Sequence, residues 1–158
     1  MLTVETWPLE RLIPYARNPR RNDSAVGKMC AAIHEFGFKI PIVARSDGTV
    51  VDGHLRLKAA ERLGLDAVPV ALADDLSEAQ IKAFRLLANR SASWATWDDE
   101  LLTLELHDLQ SFGYDLGLTG FDVQELRSLL EEAPATGLTD EDAVPETRRH
   151  CRSPGRAS

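Results

Sequence analysis

The spacing of apolar positions changes several times along this chain, and each change falls at a glycine, a proline or an Asp/Ser/Asn cluster. Short apolar runs at 3–7, 41–45 (PIVAR), 49–52 (TVVD) and 67–72 (AVPVAL) are too short for helices and predict strands. Ser46-Asp47-Gly48 between the second and third runs predicts a hairpin turn, where glycine supplies a positive φ. Pro69 has no N–H to donate, which predicts an edge position for the fourth run. Helical spacing lies between these runs. Val26, Met29, Cys30, Ile33 and Phe36 define one apolar face, with Asp23 or Ser24 as cap and Gly37 as stop. A second helix opens at Gly53 and closes at Gly64. A third starts at a Ser77/Gln80 capping box, turns Ile81, Phe84, Leu87 and Ala88 inward, and ends near Asn89. Pro8 to Ile13 predicts a single helical turn with proline at its first position, and Tyr15 to Asn22, YARNPRRN, a loop.

Beyond a loop holding Trp94 and Trp97, Asp98 caps a leucine-rich helix carrying Leu101, Leu102, Leu104, Leu106 and Leu109. Residues 113–120 predict a turn. Asp122 caps a last helix with Val123, Leu126, Leu129 and Leu130 inward. From Ala133 the sequence is polar with no hydrophobic period, which predicts a linker or disordered tail. The expected fold class is α+β: a small mixed sheet with helices over 1–92, a two-helix extension over 93–132 and the tail over 133–158.

Charge divides the chain. Its net charge is -7, yet residues 1–62 carry ten Lys or Arg against seven Asp or Glu, and residues 63–132 carry four against fourteen. An anion site is therefore a candidate for the first half, against the plainer alternative of a solvated surface. The two cysteines, Cys30 and Cys151, are far apart and fit neither a disulfide framework nor a metal cluster. That usage, the lack of a signal-like N-terminus and the lack of a long apolar run point to a cytoplasmic protein with no membrane partner.

The sharpest local feature is the strand–turn–helix Val50-Val51-Asp52-Gly53-His54-Leu55-Arg56. Glycine at the junction permits close approach of a ligand to the backbone. The helix behind it offers unpaired N–H groups and the positive end of its dipole. Arg56, in the first turn, can add a forked donor to a phosphate, and His54 can donate as well. The plainer alternative is a hairpin and a helix meeting at a glycine, with Arg56 solvated.

The order of these pieces resembles the N-terminal domain of ParB proteins and their sulfiredoxin relatives over roughly Thr3 to Asn89: a loop with N-P-R, a helix, a PIV strand, a turn, a strand ending in Gly, a helix beginning G-x-x-R and running into Ala-Ala, and a VPV strand. The resemblance implies a nucleoside triphosphate ligand, CTP or ATP, with Mg2+ as an optional companion. Carried over residue by residue, it implies nucleotide-site roles for Arg20, Asp52, Gly53, His54, Arg56, Asn89 and Arg90. His54 stands where sulfiredoxins have their reactive cysteine, and imidazole cannot replace a thiolate in that redox chemistry, so sulfiredoxin activity is not expected. A second ParB box places Glu-Asn before an arginine. Here Ala88 replaces the glutamate and Ala92 occupies the arginine position, with Arg90 a displaced substitute. Loss of that hard-oxygen ligand makes hydrolysis weak or absent.

ParB proteins follow this domain with a DNA-reading helix-turn-helix. Residues 98–132 hold ten Asp or Glu against a single base, Arg127, a poor surface for approaching phosphates. Thr119–Leu126 (TGFDVQEL) and Gly137–Glu146 (GLTDEDAVPE) resemble the extension and linker of phage-type DNA-modification methylases that begin with a ParB-like domain. No Asn/Asp-Pro-Pro-Tyr motif or Gly-rich cofactor loop follows. Residues 147–158, TRRHCRSPGRAS, leave the acidic linker pattern and read as foreign or out-of-frame sequence, or as a basic tail. The expected function is a ParB-like nucleotide-binding accessory domain of a DNA methyltransferase protein, with no methylation by this chain itself. DNA is then an indirect partner, and a homodimer is a candidate assembly. The alternatives are a stand-alone ParB-like partition or regulatory protein that binds DNA, and a ParB-like nuclease.

Overall fold

The computed structural model of the chain describes residues 1–131. The expectations for the tail, including its linker and Cys151, lie outside the described residues. The strands are β1 (Val4–Pro8), β2 (Ile42–Ala44), β3 (Val50–Asp52) and β4 (Ala67–Leu72). They form one mixed sheet in the order β1-β4-β2-β3, with β1/β4 and β2/β3 antiparallel and β2/β4 parallel. The helices are α1 (Val26–Phe36), α2 (His54–Leu63), α3 (Glu78–Ser91), α4 (Asp99–Ser111) and α5 (Val123–Glu131). The α+β architecture is the one the sequence predicts.

Period-two alternation sorts the strand residues onto the two faces of the sheet. Ile42, Ala44, Val50, Val68 and Val70 pack with Leu57 and Ala60 of α2. Val51 packs with Ile81, and Val43 joins that cluster, beneath α3. Behind α2, Val26 and Ile33 of α1 pack on Ala59. The result is a layer of α1 and α2, the sheet, and α3 on the far side.

Three local expectations are corrected. The β4 strand is interior, not at the edge. The Leu72 N–H donates to Thr3 O and the Ala73 N–H to Ala44 O, so alternate amides of this segment serve β1 and β2. Position 69 shares the phase of 73 and faces β2, whose pairing begins only at Ile42 opposite Val70, so the missing donor of Pro69 falls just beyond the ladder. Asp23 and Ser24 do not cap α1: a 3₁₀ turn at Asp23–Ala25 precedes it, and Asp23 accepts a hydrogen bond from Lys58 Nζ at 2.6 Å. Phe36, at the end of its helix, is 46% exposed rather than inward.

The extension follows α3. Asp98 and Asp122 cap as expected, each accepting from the backbone N–H three residues on. Leu106 is buried while Leu101 and Leu104 face out, so the inward stripe of α4 is 102, 106 and 109; Val123, expected inward on α5, faces out instead. Tyr114 Oη donates to Glu35 of α1 at 2.7 Å and ties the extension to the first helix. Among the described residues, no helix is long and apolar enough to cross a membrane.

Candidate functional site

The junction of β3 and α2 is built around Gly53. Its φ of 101° lies in the left-handed region, and a Cβ there would sit 3.2 Å from the Ile42 Cα and 3.1 Å from Arg56 Nη2. Only glycine meets both demands without strain. The turn aims the first amides of α2 into a cleft of about 230 Å³ lined by Asn18, Arg20, Asn22, Met29, Asp52–Arg56, Ala88 and Asn89. Four separate stretches of chain thus converge on one concavity: the loop, α1, the β3–α2 junction and the end of α3. Of the seven residues the sequence singles out, Arg20, Asp52, Gly53, His54, Arg56 and Asn89 line it. Arg90 does not: it is exposed on the last turn of α3.

The loop 15–22 is held over α2 by two side chains one turn apart. The backbone N–H of Tyr15 donates to His54 Nε2 at 3.1 Å, and Lys58 Nζ donates to Asn22 Oδ1 at 2.9 Å. Arg20 then reaches across the cleft mouth, its Nη1 3.4 Å from both Asn89 O and Asn89 Oδ1. Asn89 Nδ2 in turn donates to Arg85 O at 2.8 Å, which fixes the amide's orientation.

This geometry reassigns His54. Its Nε2 is an acceptor, so the neutral ring carries its proton on Nδ1. Burial, with the positive charges of Arg85 and Lys58, holds its pKa below the ordinary imidazole value against a smaller opposing pull from Asp52. The side chain is 9% exposed. It positions the loop, and its Nε2 has no proton to give a phosphate.

Arg56 is neither freely solvated nor idle. Its Nη2 donates to Pro41 O at 3.1 Å and to Asp52 Oδ2 at 3.3 Å, while its buried Nε has no partner. The guanidinium therefore ties the start of α2 to the entry of β2, with its Nε enclosed beneath. Among the described residues, Asp52 is the only carboxylate lining the cleft.

Arg85 is the group that sequence reasoning missed. It is 4% exposed, its Nη2 donates to Val50 O at 3.3 Å, and its guanidinium carbon lies 3.6 Å over the Tyr15 ring. The signal was present in its spacing: residue 85 is four after Ile81 and four before Asn89, on the inward stripe of α3. Leu87, assigned to that stripe from the sequence, is 46% exposed.

A loop, a glycine-started helix and α3 close one polar cleft on a mixed sheet. The profile of the ParB N-terminal domain family matches residues 1–90, and the chain belongs to that family. A second profile, described as the ParB-methyltransferase HTH domain, matches residues 100–153. The chain is 36% identical over 74 residues to the ParB-like nuclease domain-containing protein YnaK of Escherichia coli (strain K12), spanning 46% of this chain and 85% of that one. It is 33% identical over 92 residues to stage 0 sporulation protein J of Bacillus subtilis (strain 168), spanning 55% of this chain and 32% of that one. In structure it is similar to a C-terminally truncated chromosome-partitioning protein ParB from Caulobacter crescentus complexed with CTP-gamma-S. That similarity has a TM-score of 0.65 and 21% identity, and covers 80% of this chain and 76% of that one.

Proposed function

We propose that this ParB-family chain binds a nucleoside triphosphate, CTP or ATP, with its phosphates against the first amides of α2. The observation that carries the reading is the convergence of Arg20, Gly53, Arg56 and Asn89, from three stretches of chain, on one cleft. Each offers what a phosphate needs: backbone donors at a helix start, a forked cation, a second cation across the mouth, and a neutral amide. The CTP-gamma-S complex of the Caulobacter relative supports CTP as the first nucleotide to test.

Mg2+ fits this cleft poorly as a protein-held ion. Its one carboxylate, Asp52, is already bridged to Arg56, and Ala88 stands beside Asn89 where a glutamate would supply the hard oxygen. The residues present bind and orient phosphates, and the cleft's carboxylate, Asp52, is engaged by Arg56. Calorimetric titration with CTP, ATP and GTP tests the reading: one of them should bind in a single saturable event, and no heat from any at millimolar concentration removes it.

The wider role we infer is that of an accessory domain in DNA modification, supported by the ParB-methyltransferase profile over 100–153. A second reading, a ParB-like protein that itself reads DNA, draws on the HTH description of the same profile. The surface speaks against α4 and α5 as the readers, since Arg127 is the only Lys or Arg from 98 to 131. A DNA-binding measurement with and without residues 99–131 separates the two readings.

A further inference from the structure

The cleft at Gly53 does not use Arg85. The guanidinium is buried, its Nε has no hydrogen-bond partner, and among the described residues no carboxylate pairs with it. A buried cation without a counter-charge is costly, and its stacking on the Tyr15 ring offsets only part of that cost. Burial accordingly pulls its pKa below the ordinary arginine value. The same guanidinium lines a separate cleft of about 220 Å³, together with Tyr15, Arg17, Pro19, Lys82 and Leu86. Among the described residues, three cations line it and no acid does. It shares no lining residue with the Gly53 cleft, because alternate loop residues serve the two: 15, 17 and 19 here, 18, 20 and 22 there.

We propose that this cleft is a second phosphate site, in which Arg85 is the fixed donor and Arg17 and Lys82 are adjustable charges. Tyr15, Pro19 and Leu86 supply the apolar part of its lining, and each cation offers a charge-assisted bond to a phosphoryl oxygen. The ligand is a phosphoryl group, either of a small polyphosphate or of a nucleic-acid backbone. The site needs no base-reading contacts; it joins Arg17 of the basic first half to Lys82 and Arg85 of α3.

The test uses the full chain and an Arg17→Ala/Lys82→Ala double variant, chosen because both side chains are exposed and neither lines the Gly53 cleft. Pyrophosphate is titrated by calorimetry, a short fluorescent DNA duplex by anisotropy across a salt series, and CTP by calorimetry as the control. The double variant should bind at least one of the first two probes roughly tenfold more weakly, with CTP unchanged. For DNA, the slope of log affinity against log salt should fall by about one per lost phosphate contact. A loss for DNA alone assigns a backbone phosphate; a loss for pyrophosphate as well assigns an isolated phosphoryl site. The proposal is overturned if wild type binds neither probe, if the variant binds both as wild type does, or if CTP binding falls in step.

Discussion

Replacing Arg56 separates two roles that the structure assigns to one side chain. Arg56→Ala removes the bond to Pro41 O and strands Asp52 without its partner. A hydrogen bond from a charged donor is worth about 1.5–3 kcal/mol when buried, and an exposed i,i+4 pair about 0.3–0.5 kcal/mol. The side chains of Arg56 and Asp52 are 18% and 31% exposed, so the lower end applies. The ligand-free domain should therefore lose about 1–2 kcal/mol, or roughly 3–8 °C in Tm for a chain of this size. The sequence alone predicts no such loss, since it does not show the Pro41 contact. Nucleotide affinity should fall further, by about ten- to a hundredfold, if the remaining guanidinium face holds a phosphate. Arg56→Lys keeps the charge but loses the planar fork, so it should recover part of the stability and little of the affinity. Asp52→Asn frees the guanidinium and removes the only carboxylate in the cleft, so affinity measured in EDTA should rise. Thermal melts and calorimetry on the same samples read both roles. Arg56→Ala with unchanged nucleotide affinity, measured where the variant is folded, refutes the phosphate role. A tenfold weaker Asp52→Asn in EDTA refutes the placement of the phosphates.

Other consequences follow from the same geometry. His54 has a folded pKa below its unfolded value of 6.5, so stability should be level at higher pH and decline as pH falls through that value and the unfolded state takes up the proton. Melts of wild type and His54→Gln between pH 8 and 5 should differ in that decline, and parallel curves would show that another group governs it. Gly53→Ala forces a left-handed φ on alanine and sets its Cβ against Ile42, which should cost about 1–3 kcal/mol and is read by denaturant unfolding. Leu106→Ala should cost about 2–4 kcal/mol and loosen α4 against α5, visible as faster amide exchange in 99–131 with the sheet unaffected. Uniform exchange across the chain would show that the extension and the sheet domain open together.

Much of the fold was legible because its signals are local. Gly37, Gly53 and Gly64 punctuate the helices, the Ser77/Gln80 capping box starts α3, and strand alternation separates Val50 from Val51 onto opposite faces. Order within the sheet was not legible. Pro69 argued for an edge, and only the register with β2 shows that its missing donor meets no partner. At the cleft, phosphate chemistry marked Gly53, His54 and Arg56, while Arg20 and Asn89 came from the resemblance to ParB domains. The parts that hold it were not. His54 and Lys58 fasten the loop through hydrogen bonds to Tyr15 and Asn22, more than thirty residues away in sequence. Arg85 was passed over because arginine on an apolar stripe is ordinarily placed outside, and nothing local announces the ring of Tyr15 beneath it.

The central claim is a location: phosphates of a nucleotide at the start of α2. Amide chemical-shift mapping of the labelled chain during titration with CTP, and then ATP, tests it most directly. The account predicts saturable shifts that are largest at the amides of Gly53 to Arg56, with smaller ones at Asn18 to Asn22 and at Asn89, whose side chains line the cleft mouth. Saturable shifts centred elsewhere, with the Gly53 to Arg56 amides unmoved, would contradict it.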